Sequence, residues 1–264
     1  MVDKAGLLEC VICLDPLEAP IVQCEVGHSI HQGCFTRRHI TICPKCRRPM
    51  SNRRNIGLEE LLESLKDTIK LPCRNKSKGC KYDLTGQERN AHENECRYRE
   101  FKCEGASYAG WACDWTGDYK DLENHFKDRH KSKTLMQYRT EFNIPIDFKS
   151  DYKDLHLISF FNGQSYFYYK HQVDASKKRI YWTFQYIGFQ NMAKHYFYEF
   201  EVSNGPVRKF KVTELCHNDT VDVKDIFGIE NCVVMSFKAA KNFLNEEKEL
   251  CCKFRLSKIK NTPS

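Results

Sequence analysis

The sequence predicts a metal-stabilised α+β front half followed by an all-β antiparallel sandwich. The 264 residues suggest about two domains. Cysteines are concentrated at the front, where eleven of the 15 precede residue 114, at spacings that suit tetrahedral zinc. From about residue 134 onward, aromatic and β-branched residues form short runs separated by turn residues, which is typical of an antiparallel sandwich.

Eight potential zinc ligands fall within the first 46 residues, in four close pairs. The pairs are Cys10 with Cys13, Cys24 with His28, His31 with Cys34, and Cys43 with Cys46. Eight ligands fill two four-coordinate sites and leave no open position, which indicates structural metal. The segment is too short and polar to bury a sufficient core, so metal binding would supply its folding free energy. Spacing alone leaves open which pairs share an ion.

A helix is predicted next, over 57–71, because leucines and isoleucine recur at helical spacing and Pro72 follows. We interpret it as a rigid linker that packs on its neighbours. A helix for self-association is the alternative interpretation.

Two further ligand sets follow, and they share a gap of eleven residues between the second cysteine and the first histidine. This internal repeat predicts two fingers, each with a ligand pair on a loop or hairpin and a pair on a helix. The first set is Cys73, Cys80, His92 and Cys96, and the second is Cys103, Cys113, His125 and His130.

Short strands are predicted in the rear half, over 155–161, 165–173, 179–187, 194–202, 207–214 and 249–259. Asn162-Gly163 is a strong hairpin signal between the first two. The stretch 231–245 is expected to hold a strand and a short helix. The aromatic run 166–169 is expected to alternate between core and surface. Four cysteines lack ligand spacing and are predicted to be buried small apolar residues: Cys216, Cys232, Cys251 and Cys252.

Charge and composition argue against several classes of protein. The net charge of +7 is spread along the chain, which does not favour a nucleic-acid-binding protein. The local exception is 37–54, which holds seven Lys and Arg and no acid; it is a solvated loop or a face for an acidic partner. No run is long enough to span a bilayer, and the start lacks the apolar region of a secretory signal. We therefore expect a cytoplasmic protein that can also be nuclear.

The first eight ligands, in the order Cys-x2-Cys, Cys, His, His-x2-Cys, Cys-x2-Cys, resemble a RING domain. The resemblance implies interleaved sites, with Cys10, Cys13, His31 and Cys34 in one and Cys24, His28, Cys43 and Cys46 in the other. His31 stands where most RINGs have cysteine. By the same resemblance, Ile12 and Pro44 form the apolar contact for a ubiquitin-conjugating enzyme. Arg47, directly after the last ligand, would bridge that enzyme and ubiquitin.

The whole order then resembles the seven in absentia family of ubiquitin ligases. The phrases L-P-C-R-N-K-S-K-G-C-K-Y, C-D-W-T-G and R-H-K-S carry the likeness in the paired fingers. Where the family has a gap of six residues between the cysteines of the second finger, this chain has nine. The resemblance implies a RING at 1–50, a linker helix at 51–71, paired SIAH-type fingers at 72–133 and a TRAF-like domain at 134–264. It also implies four zinc ions per chain, two in the RING and two in the fingers.

The resemblance implies an E3 ubiquitin-protein ligase that works by positioning a ubiquitin-conjugating enzyme and ubiquitin. Substrates or adaptors would bind the TRAF-like domain, which also dimerises, by adding a strand near 154–173. Leu155 and Leu157 are the candidate residues of that substrate groove. No catalytic nucleophile is predicted, and neither nucleic acid nor membrane is expected as a partner. The alternatives are a zinc-stabilised adaptor with an inactive RING and, with less support, a nucleic-acid-binding finger protein.

Overall fold

The computed structural model describes residues 8–136, 139–160 and 163–259. The start of the chain, on which the prediction of no secretory signal rests, lies outside these residues, as does Asn162 of the predicted hairpin turn. The chain forms two compact units that divide between Tyr98 and Arg99. The two predicted fingers therefore belong to different units. Among the described residues, no helix is both long and apolar enough to cross a membrane.

The first unit is built from short strands and helices that lie between the metal-ligand pairs. Their bounds are β1 Ile21–Cys24, β2 Ser29–His31, α1 Gln32–Arg37, β3 Met50–Arg54, α2 Ile56–Leu65, β4 Leu71–Pro72, β5 Asp83–Leu84 and α3 Gly86–Glu95. Three strands form an antiparallel sheet in the order β2-β1-β3, and β4 pairs with β5.

The apolar core of this unit is small. Its buried members are Cys10, Leu17, Ile21, Val22 and Ile30. Two leucines of α2, Leu58 and Leu62, pack against it. The buried carboxylate of Glu59, also on α2, accepts the Ile21 N–H at 2.8 Å and pairs with Arg54. Helix α2 is therefore held to the RING-like segment by a charged side chain as well as by leucine contacts.

Helix α2 ends at Leu65, earlier than the predicted end at residue 71. The chain is drawn away because Leu71 and Pro72 pair with β5 as a short antiparallel ladder. The Lys66 carbonyl, at the end of the helix, accepts the N–H of Gly86, at the start of α3. These contacts compete with further helical turns, which sequence periodicity does not reveal.

The second unit carries the second finger and the sandwich. Its first elements are β6 Phe101–Lys102, α4 Glu104–Ala109, β7 Thr116–Gly117, α5 Leu122–Arg129, β8 Thr134–Met136, β9 Arg139–Pro145, β10 Tyr152–Phe160, β11 Ser165–Asp174 and β12 Arg179–Tyr186. The remaining elements are α6 Gln190–Ala193, β13 Tyr196–Asn204, β14 Arg208–Leu215, β15 His217–Asn218, α7 Val223–Gly228, β16 Val233–Ser236, α8 Phe237–Ala240 and β17 Glu249–Lys258.

Two sheets form the sandwich. One has the order β15-β12-β11-β10-β8, with β16 also pairing with β12, and the other has the order β14-β13-β17-β9. The main core lies between them and is dominated by aromatic rings, among them Trp182, Phe184, Phe200 and Phe254. The predicted sandwich is therefore confirmed, with antiparallel pairing of its long strands and, within the described residues, parallel pairing only where the short β8 and β15 join β10 and β12. The stretch 231–245 holds β16 and α8 as expected.

Strand β11 is covered on both faces, which differs from the predicted alternation of core and surface. Phe167 and Tyr169 point into the sandwich core, whereas Tyr166 and Tyr168 join a second apolar cluster on the other face of the sheet. That second cluster includes residues of the second finger, such as Leu122 and Phe126 of α5. The finger thus takes the place of solvent over this sheet.

The cysteines without ligand spacing are mostly buried, as predicted. Cys216, Cys232 and Cys252 are buried. Cys251 is only half-buried, because alternate residues of β17 face opposite sides of the sheet and Cys252 takes the core side.

Candidate metal centres

The structure assembles four groups of sulfur and imidazole ligands. In each group, the four ligand atoms lie within 4.8 Å of one another. The groups contain the same residues as the four sets in the sequence: Cys10, Cys13, His31 and Cys34; Cys24, His28, Cys43 and Cys46; Cys73, Cys80, His92 and Cys96; Cys103, Cys113, His125 and His130. The two front sets interleave along the chain.

The distances within these groups fit a tetrahedral zinc ion. Zinc–sulfur bonds of about 2.3 Å and zinc–nitrogen bonds of about 2.0 Å place two sulfurs about 3.8 Å apart, and sulfur and nitrogen about 3.5 Å apart. Cys24 Sγ and Cys46 Sγ are 3.7 Å apart, and Cys13 Sγ is 3.4 Å from His31 Nδ1. These two separations therefore match those that a tetrahedral zinc ion imposes.

His31 is oriented as a metal ligand. Its Nδ1 faces Cys13, and its Nε2 lies 3.0 Å from the carbonyl oxygen of Pro16. A hydrogen bond from Nε2 to that carbonyl fixes the tautomer in which Nδ1 carries the free lone pair. His31 ends β2 just before α1, so secondary structure on both sides holds the ring in place.

The second front site is held by two tight Cys-containing loops. His28 Nδ1 lies 3.6 Å from Cys24 Sγ and 3.7 Å from Cys43 Sγ. The His28 N–H donates to Cys24 Sγ at 3.3 Å, which favours a thiolate. In the Cys43–Cys46 turn, the Arg47 N–H donates to the Cys43 carbonyl at 2.8 Å. The equivalent bond in the first turn runs from Leu14 to Cys10 at 2.8 Å.

The first finger is built almost entirely around its ligands. Cys80 Sγ is 3.3 Å from His92 Nε2, and Cys73 Sγ is 3.8 Å from Cys96 Sγ. The three cysteines are buried and make up a separate apolar cluster by themselves, whereas His92 is half-buried. Helix α3 begins with a capping box between Thr85 and Glu88.

The second finger places its ligands against aromatic rings. Cys103 Sγ is 3.4 Å from His130 Nε2, and Cys113 Sγ is 3.8 Å from His125 Nε2. Trp115 stacks on His125 with ring centroids 4.2 Å apart, and Trp111 lies 4.5 Å from His130. These indoles pack on the two histidine rings, and His125 is buried whereas Cys113 and His130 are half-buried.

Helix α4 fills the nine-residue gap between Cys103 and Cys113. Gly105 is required there, because a Cβ would lie 1.9 Å from the Trp111 ring. Glu104 pairs with the buried Lys170 of β11 at 2.5 Å, and Tyr108 donates to the His171 carbonyl at 2.9 Å. The longer gap thus forms a helix that anchors the finger to the sheet. The sequence prediction of a loop missed this helix.

The thiols show the competing effects expected of an assembled ligand set. Burial raises the pKa of Cys13 to about 12, with the neighbouring Cys10 charge adding to the increase. Burial also opposes ionisation of Cys10, but hydrogen bonds from His31 and backbone amides lower its pKa to about 6. A bound cation would favour the thiolate of every cysteine in the set.

The candidate enzyme-contact residues lie on the two front Cys-x2-Cys turns. Ile12 is half-buried against the small core, whereas Pro44 and Arg47 are exposed. Arg47 has a φ of 60°, which turns the backbone sharply after the last ligand. Two apolar side chains that the sequence analysis did not single out are also exposed here: Leu14 at 67% and Ile42 at 58%. Leu14 directly follows Cys13 and Ile42 directly precedes Cys43, so their places in the sequence could have indicated that they lie beside the ligand turns.

Leu155 and Leu157 do not line an open groove. Both side chains are buried, at 0% and 1% exposure, in the cluster that also holds Leu122 and Phe126 of the second finger. The prediction that they form a substrate groove is therefore wrong for this structure. The physical reason is that α5 covers this face of the sheet, and the sequence pattern did not predict such contact between the finger and β10.

Comparison with known protein families gives two matches. Residues 64–143 match the model of the Sina zinc finger, and residues 158–254 match the Sina TRAF-like domain. An E3 ubiquitin-protein ligase sina from Schistosoma mansoni is 27% identical over 250 residues, covering 92% of this chain and 63% of the relative. The sina ligase of Drosophila virilis is 34% identical over 149 residues, covering 54% and 45%.

The chain is also similar to a ligase from a plant. The E3 ubiquitin-protein ligase DIS1 of Oryza sativa subsp. japonica is 40% identical over 125 residues, covering 47% of this chain and 39% of the relative. The chain thus spans less than two thirds of the length of each of these relatives. Its sites and fold define a zinc-finger protein with a TRAF-like β-sandwich. Matched by both the zinc-finger and the TRAF-like models, it belongs to the Sina family.

Proposed function

We propose that the protein is a RING-type E3 ubiquitin-protein ligase. Its front unit would recruit a ubiquitin-conjugating enzyme, and its TRAF-like domain would bind substrate or adaptor proteins. Ubiquitin would pass to substrate lysines and mark them for proteasomal degradation. The names of the Sina relatives support the ligase activity, and the interleaved ligand sets at residues 10–46 support the RING.

The observation that carries the proposal is the interleaving of Cys10, Cys13, His31 and Cys34 with Cys24, His28, Cys43 and Cys46. Interleaved sites tie each Cys-x2-Cys turn to a different pair in the segment between them, the first to His31 and Cys34 and the last to Cys24 and His28, so neither turn can move without distorting a metal centre. A rigid, exposed surface can orient a partner, which is a contribution to rate by positioning alone. Zinc bound at the four sets, four ions per chain, would act structurally.

Three side chains have proposed roles on this surface. Ile12 and Pro44 would supply apolar contact for the conjugating enzyme. Arg47 would hydrogen-bond to both the enzyme and ubiquitin, because a planar guanidinium group can donate in two directions. The exposure of Pro44 and Arg47 leaves them available for such contacts.

The rear unit would select substrates and mediate homodimerisation. These roles rest on membership of the Sina family. Another part of the domain would supply the substrate surface, because Leu155 and Leu157 lie beneath the second finger. We also propose that the protein works in the cytoplasm and the nucleus.

The test is self-ubiquitination of the zinc-loaded full-length protein with activating enzyme, a panel of conjugating enzymes, ATP and ubiquitin. Ile12→Ala and Arg47→Ala should each lower the rate by at least about tenfold, a loss of roughly 1.4 kcal/mol of transition-state stabilisation. Arg48→Ala removes the same charge from the adjacent exposed position and should change the rate by less than about twofold.

Other outcomes would point elsewhere. No activity with any conjugating enzyme would favour the adaptor with an inactive RING. Equal activity in all variants would contradict the proposed contact surface. Elemental analysis should give four zinc ions per chain, and a value of two would show that one pair of sites is misassigned.

A further inference from the structure

An arginine-lined cleft lies in the first unit, beside the first metal set and the first finger. Its volume is about 530 Å³. Arg37 and Arg38 enter it from the end of α1, Arg74 follows the first ligand of the finger, and Arg89 comes from α3. Four guanidinium groups from three separate parts of the chain therefore border one space.

Two of these guanidinium groups are held in place by a single hydrogen bond from Nε. Arg37 Nε donates to the Gly33 carbonyl at 3.2 Å, and Arg74 Nε donates to Glu93 Oε2 at 2.6 Å. These bonds orient the planar groups and leave the terminal nitrogens for a ligand. No carboxylate pairs with Arg37 or Arg38 in the described part of the chain. Such a fork geometry suits bidentate recognition of an oxyanion.

The cleft already holds a carboxylate on one arginine. Arg89, buried and ion-paired with Glu93 on α3, also pairs with Glu18, whose side chain is 51% exposed. Glu18 lies on the loop before β1 and can move away into solvent. An incoming anion with more charge than a carboxylate would compete with Glu18 for this position.

The arrangement of the arginines, rather than the net charge of the lining, favours an anion that makes directed hydrogen bonds. Asp15, Glu18 and Glu93, which pairs with both Arg74 and Arg89, offset three of the four guanidinium charges. A zinc ion held by three thiolates and one imidazole next to the cleft would offset the fourth. A lining without net positive charge gives little binding to a diffuse polyanion, but Arg37 and Arg38 permit a local contact with a group that engages several guanidinium groups.

The basic residues of 37–54, most of which have no role in the proposed ligase function, have different surroundings in the structure. Arg54 is paired with Glu59, and Arg47 belongs to the proposed enzyme contact. Arg37 and Arg38 are the members of this run that line the cleft. Pro16, Ala19 and Pro20 add an apolar wall beside them. The space exceeds that of a phosphate group, so residues that flank a phosphorylated side chain would fit against this wall.

We propose that this cleft binds a phosphorylated serine or threonine in an extended peptide segment. The phosphate would be held by Arg37, Arg38 and Arg74, and the flanking residues would contact the proline-rich wall. Binding here would bring a phosphorylated protein next to the first metal set. Ile12, Pro44 and Arg47, the proposed enzyme contact, are not among the residues that line this cleft, and phosphopeptide binding there can be measured without ligase activity.

The probe is a fluorescein-labelled peptide library with a fixed central phosphoserine between degenerate positions, measured by fluorescence anisotropy with the zinc-loaded full-length protein. We expect the phosphorylated library to bind at least about tenfold more tightly than its unphosphorylated counterpart. Arg37→Ala with Arg38→Ala should remove at least about tenfold of that affinity. Glu18→Gln should increase it, because the competing carboxylate charge is gone.

The matched control is Arg48→Ala with Arg53→Ala, which removes two charges from the same basic run at exposed positions outside the cleft. It should change affinity by less than about twofold. Equal binding of the two libraries, or an equal loss in both double variants, would overturn the proposal. If the Arg37→Ala with Arg38→Ala variant lost affinity for a random single-stranded RNA but not for the phosphopeptides, the cleft would be a nucleic-acid site instead. Retained zinc in each variant shows that the loss is not one of folding.

Discussion

The two fingers share the gap of eleven residues between the second cysteine and the first histidine but have different surroundings. In the first finger, the cysteine ligands form the apolar cluster by themselves, and α3 offers the core little besides ligands and ion pairs. In the second finger, helices α4 and α5 share a cluster of fifteen buried residues with the outer face of the sheet. A shared ligand gap therefore does not mean equal dependence on metal. The first finger depends on zinc, whereas apolar burial also stabilises the second.

The largest expected difference comes from removing one equivalent ligand in each finger. Cys80→Ser and Cys113→Ser change the second cysteine of each set. Structural zinc contributes about 10–16 kcal/mol in small fingers, so Cys80→Ser should unfold the first finger. Cys113→Ser should leave α5 protected, because Leu122 and Phe126 remain buried against the sheet. Hydrogen-exchange mass spectrometry of each finger measures this.

Wild-type protein treated with a strong chelator, which removes zinc from all sites at once, serves as the control for these two variants. It should lose protection across residues 10–96 before it loses protection in α5. Equal loss in both fingers would mean that the aromatic cluster contributes nothing without metal.

Removing an aromatic side chain beside a histidine ligand in each finger tests the same difference in stabilisation. Phe126 is fully buried and lies 5.6 Å from the His130 ring, so Phe126→Ala should destabilise the second unit by about 3–5 kcal/mol. Tyr82 lies 4.9 Å from the His92 ring of the first finger but is 52% exposed. Tyr82→Ala should therefore cost less than about 1 kcal/mol. Thermal unfolding at saturating zinc checks both values, and similar costs would contradict the proposed difference.

Acid should weaken the sandwich through two histidines that are not metal ligands. Burial lowers the pKa of His156 to about 4 and that of His171 to about 4, although the nearby Asp154 charge acts in the opposite direction. In the unfolded chain these groups titrate near pH 6.5. The folded state therefore excludes protons that the unfolded state binds, so stability is present above about pH 6.5 and is lost as the pH falls toward about 4.

Each histidine accounts for at most about 3 kcal/mol of this loss. Chemical denaturation of the second unit between pH 7 and pH 4.5 provides the measurement. His171→Phe should flatten the pH dependence, since Phe stays neutral. A slope that is unchanged in this variant would assign the acid sensitivity to other groups.

The smallest expected effect concerns the ion pair that joins α4 to β11. The Lys170 side chain is 3% exposed and that of Glu104 is 29% exposed. Glu104→Gln leaves a buried ammonium without its partner and should cost about 2 kcal/mol. Lys170→Met leaves a carboxylate that water can reach and should cost less than about 1 kcal/mol. The reverse order of costs, in urea denaturation, would show that solvent rather than the pair stabilises Lys170.

Local patterns predicted the ligand sets and most strands of the rear half. Spacing identified the four ligand sets because zinc geometry constrains neighbouring residues, and alternation in 249–259 matches β17 with a difference of one residue. Contacts between distant parts of the chain were not predictable in the same way. The early end of α2, the helix in the Cys103–Cys113 gap and the burial of Leu155 all depend on such contacts. One signal was available for the last, since four consecutive aromatics in 166–169 are typical of a strand covered on both sides.

The cover that the second finger provides has a consequence for how the chain is made. Helix α5 ends at Arg129, more than fifty residues before the end of β12, so the ribosome releases the finger well before the sheet it will cover. Until then Leu122 and Phe126 have no sheet to pack against. Metal bound by the nascent finger would let the finger fold first. The strands synthesised later would then pack against its preformed surface.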